Sequence, residues 1–125
     1  MSKLFLILGS VNAALAIMLG AFGSHGLKVS LSIEMMNIYQ TGIQYHVYHA
    51  FGLLIIGLIA FQFPGSKLLR WSGWLMFSGI IFFSGSLYLQ AITNIRWLGA
   101  ITPIGGTAFI TSWILLTMTA LKLEQ

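Results

Sequence analysis

Long apolar runs alternate with short polar breaks along the chain. Leu4–Phe22, Ile43–Phe63, Trp71–Ile92 and approximately Leu98–Leu121 each proceed without one formally charged side chain. A hydrocarbon layer of about 30 Å needs about 20 helical residues at 1.5 Å each. Lipid offers nothing to a bare backbone amide, so runs of this length must be helices. The pattern predicts an all-α, integral membrane four-helix bundle, a single membrane domain over residues 1–125. The first run is longer than the roughly 7–15 apolar residues of a secretory signal, and three more follow it, so it is expected to stay as a helix.

The breaks are unequal. Residues 64–70 and 93–97 are short turns, whereas the connection over residues 23–42, on the outer side in this topology, is long enough to hold structure. Within it Ser32 can cap a helix that carries Glu34 in its first turn, where the helix dipole favours an acid. Met35, Met36, Tyr39 and Ile43 recur at spacings of three and four, which predicts a short amphipathic helix lying on the membrane between spans one and two. In the fourth run Thr102 is placed to cap, with Pro103 as the first helical residue, where its missing N–H costs nothing. Leu98–Ile101 is then an irregular lead-in.

Composition agrees with the pattern. Of 125 residues, 58% are hydrophobic and 6% charged, against roughly a quarter charged in a soluble domain. The six basic residues are scattered and form no phosphate-tracking patch, so no nucleic-acid partner is expected; the lipid bilayer is. Four spans put both termini on one side with Lys3, Lys67, Arg70 and Lys122, leaving Lys28 and Arg96 on the other. The basic excess favours both termini on the cytoplasmic side. The absence of cysteine removes disulfides and thiolate metal sites.

Polar and glycine-rich pieces converge at the outer ends of the spans: Gly20, Gly23 and Gly26, Gly42, Gly85, then Gly105 and Gly106, together with all three histidines. His46 and His49, three residues apart, lie about 60° apart on one helix face. With His25 they are candidate ligands for a metal, or one of them for haem or a quinone, with Tyr45 and Tyr48 beside them. The alternative is an interfacial belt of histidine and tyrosine, hydrogen-bonded to backbone or water. Gly20, Gly23 and Gly26 have no preceding strand and no following Lys-Ser/Thr, so they are expected to end the first helix with positive φ and to permit close packing. Gly79 and Gly85 predict a similar packing face. Asn12, mid-span, is expected to bond across helices to Ser78 or to a threonine of span four. Ser84, Ser86, Thr107, Thr111 and Ser112 can bond their own helix carbonyls.

The only acids are Glu34 and Glu124. No span holds a carboxylate for a proton relay, and no Ser/His/Asp or paired-carboxylate set is present for hydrolysis, so no enzyme is expected.

Four stretches in order, Gly20–Leu27, Tyr48-His49, Phe83–Tyr88 and Gly99–Gly106, give the chain a wider likeness. On these it resembles a family of small bacterial membrane proteins, domain of unknown function 423, which has relatives in eukaryotes. The family often carries Ala where this chain has Ser24. The resemblance implies a multi-pass cell-membrane protein and supplies no catalytic residue. The expectation is a non-enzymatic structural or accessory membrane protein without a cofactor, packing with itself as a homo-oligomer or with a larger membrane complex through its glycine faces. The alternatives are a metal-, haem- or quinone-binding protein acting through the histidines, and a small oligomeric transporter or channel.

Overall fold

A computed structural model describes residues 1–123, so Glu124 lies outside it. Helix α1 spans Ser2–Phe22 and continues as a π-helical turn over Gly23–Leu27. Helix α2 spans Ile33–Ala60. The third span is built of α3 (Lys67–Gly79), a π-helical turn (Ile80–Ser84) and α4 (Gly85–Thr93). A 3-10 turn over Arg96–Ala100 leads into α5, Thr102–Leu121. No strand occurs among the described residues. The four stretches Ser2–Leu27, Ile33–Ala60, Lys67–Thr93 and Arg96–Leu121 are long and apolar enough to cross a membrane.

The packing follows from which faces are small. Helix α1 lies along α2, α5 lies along α3 and the second π-turn, and α2 meets the third span over its length. The apolar core, Phe5, Leu53, Ile56, Leu69, Met76 and Phe109 among others, fills the half of the bundle nearer the termini. Large apolar side chains also cover the outside, with Ile17 72% and Leu58 59% exposed. Water would oppose that surface; lipid is the solvent it suits.

Several expectations change. The predicted surface helix is helical, but it is the opening of α2, unbroken into the second span. Ser32 caps it as expected, its Oγ accepting from the Met35 N–H at 3.2 Å, with Glu34 in the first turn. The three-and-four periodicity is real, yet Met35, Tyr39 and Gly42 face the bundle and are buried. At 28 residues, α2 is about 42 Å long against about 30 Å of hydrocarbon. It is thus longer than a crossing of the hydrocarbon requires, by about its polar first turns.

Gly23 and Gly26 do not end α1 with positive φ; the helix widens into the π-turn and no glycine has positive φ. The left-handed residue is Asn94, φ 58°, which closes α4 with its N–H on the Gln90 carbonyl. Thr102 does not cap α5: Ile101 holds the cap position without a side-chain bond, and Pro103 lies in the first turn.

Candidate functional site

Moving the start of α2 outward changes the level of two histidines. His46 and His49 lie near the midpoint of α2, about 20 Å from either end, and not at the outer end. Both are buried, as is Asn12 halfway along α1. A polar side chain at this depth needs a partner inside the protein.

His46 has two. Asn12 Nδ2 donates to the Leu8 carbonyl at 2.8 Å, which turns Asn12 Oδ1 toward His46 Nε2 at 2.9 Å. That oxygen only accepts, so Nε2 carries the proton. On the other ring edge Nδ1 meets the Tyr88 hydroxyl at 2.8 Å. Asn12, His46 and Tyr88 thus tie α1, α2 and α4 in one buried line. Asn12 does bond across helices, but to His46 and not to Ser78 or a threonine of the fourth span.

His49 joins the fourth span. Its Nδ1 donates to the Tyr45 carbonyl at 2.7 Å, and its Nε2 accepts from Trp113 Nε1–H at 3.0 Å. A carbonyl only accepts and an indole N–H only donates, so the neutral Nδ1–H tautomer is fixed from both sides. Phe109 stacks on the imidazole, centroids 3.5 Å apart with planes at 8°. A groove of about 440 Å³ opens beside this pair, lined by Tyr45, His49, Phe83, Gly106, Phe109, Ile110 and Trp113. It is mostly aromatic and within the usual range for ligand pockets.

The serines do more than bond their own turns. Ser84 Oγ donates to the Gly42 carbonyl on α2 at 2.8 Å. Ser72 and Ser112 donate to each other's backbone carbonyls at 2.8 and 2.6 Å, joining α3 to α5. Ser86 Oγ donates to the Phe83 carbonyl and lies 2.6 Å from Thr102 Oγ1. Thr107 and Thr111 bond locally as expected. Among the described residues no buried side-chain nitrogen or oxygen lacks a partner.

The remaining candidates are dispersed. His25 is exposed on the first π-turn, away from the mid-bundle pair. Tyr48 is half exposed and its hydroxyl accepts from Gln44 Nε2 at 2.6 Å. The Tyr45 ring leans on Phe83 at 4.6 Å. The three histidines do not fit a metal or haem site as they stand: they do not converge, and every ring nitrogen of His46 and His49 already faces a protein partner. Among the described residues no group of three His, Cys, Asp or Glu side chains is placed to hold a metal ion.

The glycines divide. A Cβ on Gly105 would fall 2.7 Å from Phe83 Cα and Cβ, so backbone meets backbone there. Gly23 receives the Tyr39 ring and Gly42 the Tyr88 ring. On Gly26 an added Cβ would meet the Phe22 ring of its own segment. Gly20 and Gly106 have only ordinary neighbours at 3.8 Å, and Gly85 has none within 4 Å. The packing role expected for Gly85 inside this bundle is therefore absent.

Four apolar helices closed around a buried hydrogen-bonded line define a small multi-pass integral membrane protein. The profile of the family described as "Protein of unknown function (DUF423)" matches residues 19–106, and the chain belongs to that family. It is 50% identical to the UPF0382 membrane protein YwdK of Bacillus subtilis, over 96% of this chain and 98% of that one. It is 52% identical to the UPF0382 membrane protein SERP0230 of Staphylococcus epidermidis, over 96% and 97%. It is 48% identical to the UPF0382 membrane protein SSP2132 of Staphylococcus saprophyticus, over 97% and 99%. No solved structure matches the chain.

Proposed function

We propose that this chain is a non-enzymatic accessory protein of the bacterial cell membrane, with both termini in the cytoplasm, working as part of an assembly. Gly85 carries the reading. Glycine weakens a helix by roughly 0.5–1 kcal/mol relative to alanine, and in membranes it is kept where another helix comes close. Gly42, Gly73 and Gly79 each receive a ring from within the bundle, whereas Gly85 is left open. A helix of a second copy or of a larger complex would fill that space. The bundle interior is filled with side chains, so a transport path would have to run between copies.

The test is native mass spectrometry of protein extracted directly into lipid nanodiscs. The expected result is an assembly heavier than the 13.7 kDa chain, reduced to that mass by Gly85→Leu while helicity is kept. A wild-type protein found only at the single-chain mass overturns the proposal. Orientation is checked separately, using the absence of native cysteine. Thr93→Cys on intact cells should react with an impermeant maleimide and Lys122→Cys should not.

A second reading rests on the groove beside His49. Its aromatic walls and lateral opening suit a membrane-soluble ring compound such as a quinone. Quinone added to liposomes should quench the fluorescence of wild-type protein more than that of Trp113→Phe; equal quenching sinks this reading.

A further inference from the structure

The end of the bundle that carries the termini breaks a local electrostatic rule. The first turn of a helix favours acids, because its free N–H groups and the helix dipole are positive. Helix α2 follows the rule with Glu34. Helix α3 has no acid there and presents Lys67 and Arg70 instead, three residues apart on one face. Among the described residues the only ion pair is Arg96 with Glu34, at 3.4 Å, at the opposite end of the bundle. Two cations and a positive helix end thus stand together with no acidic partner among the described residues.

Below each cation, one turn further along, sits a tryptophan: Trp71 follows Lys67 and Trp74 follows Arg70. These four side chains line one hollow of about 420 Å³. Arg70 and Trp74 also border a second, of about 230 Å³, against Leu4 and Phe5 of α1. Trp74 is held as a wall by edge contacts to Phe5 at 5.8 Å and Phe77 at 6.3 Å. Trp71 remains 63% exposed on the outside of the bundle. The site is cationic at the membrane surface and aromatic beneath it.

We propose that Lys67, Arg70, Trp71 and Trp74 form a binding site for an anionic phospholipid, the phosphate between the two cations and an acyl chain along the two indoles. The charge calls for an anion, and the exposed indole faces call for the hydrocarbon joined to it. A free phosphate would satisfy only the first.

The test uses full-length protein in detergent, titrated with phosphatidylglycerol or phosphatidylcholine and read by native mass spectrometry for bound lipid. Near a membrane surface each basic residue contributes about 1 kcal/mol toward anionic lipid, so removing two should weaken binding roughly 30-fold. Wild type should prefer phosphatidylglycerol, and Lys67→Gln/Arg70→Gln should lose that preference. Lys28→Gln/Arg96→Gln, with the same change in net charge at the other end, should keep it. Trp71→Ala should weaken long-chain phosphatidylglycerol several-fold while leaving a short-chain form of the same headgroup unaffected. Equal losses in the two charge variants, or no lipid preference in wild type, overturn the proposal. So does inorganic phosphate displacing the lipid at equal concentration, which would show an anion site without a lipid component.

Discussion

Asn12 and His46 meet midway along the bundle, 2.9 Å apart, and that contact sets up a double-mutant cycle with a predictable sign. Asn12→Leu removes an acceptor and leaves the His46 Nε2–H buried without a partner. An orphaned buried polar group costs about 1–3 kcal/mol. His46→Leu strands two groups, Asn12 Oδ1 and the Tyr88 hydroxyl, at a cost of about 2–6 kcal/mol on the same scale. In the double variant only the Tyr88 hydroxyl is stranded, so its cost falls back to about 1–3 kcal/mol. The two substitutions together should therefore destabilise the bundle by at least about 2 kcal/mol less than their sum, because two groups orphaned in the single variants are absent from the double. The assay is reversible unfolding in mixed micelles by titration with sodium dodecyl sulfate, followed by far-ultraviolet circular dichroism. Costs that add to within about 0.5 kcal/mol would mean that the two side chains are uncoupled. That result would refute the buried line through α1, α2 and α4.

Two glycines should respond with opposite signs to the same change. Gly105→Ala drives a methyl against the Phe83 backbone and should destabilise the isolated chain by about 1–3 kcal/mol. Gly85→Ala meets open space and should stabilise it by about 0.5–1 kcal/mol; thermal unfolding in detergent distinguishes them, and a shared sign refutes the packing argument. Ser112→Ala removes the donor to the Ser72 carbonyl and should cost about 1 kcal/mol in the same titration. An unchanged midpoint would show that the α3–α5 contact does not need the serine pair. Arg96→Gln breaks an ion pair whose side chains are 68% and 60% exposed, and its melting temperature should match wild type at high salt.

Span number and helical class were legible because they depend on run length and on the absence of charge, which are local properties. The cap at Ser32 was legible for the same reason. The start of the second span was not, since Asn37, Gln40, Thr41 and Gln44 interrupt the apolar run and read as a membrane surface. They are exposed positions on the first turns of α2. That shift alone moved His46 and His49 from the outer rim to mid-bundle. Asn12 announced a cross-helix bond by its depth, but its partner is 34 residues away, and no spacing rule reaches so far. Trp113, 64 residues from His49, gave no signal, because a tryptophan in an apolar run reads as lipid-facing.

Lipid tails are as apolar as leucine, so burying hydrocarbon does not by itself choose which helices touch; packing and hydrogen bonds choose. This chain applies both at the same interfaces. Where α2 meets α4, Gly42 receives the Tyr88 ring and His46 bonds the Tyr88 hydroxyl. Where α3 meets α5, Gly79 receives the Phe109 ring and Ser72 and Ser112 exchange bonds. Beyond α1, Gly23 receives the Tyr39 ring, and the Tyr39 hydroxyl donates to the Leu19 carbonyl. A ring seated on a glycine fixes the distance between two helices, while a bond to a specific atom fixes their register. One slip along either helix undoes both together. The mid-bundle histidines belong to this system of register contacts, and the same partners that satisfy them withdraw their nitrogens from other chemistry. What stays open for partners is on the outside: the groove beside Trp113, the bare backbone at Gly85, and the cations at the start of α3.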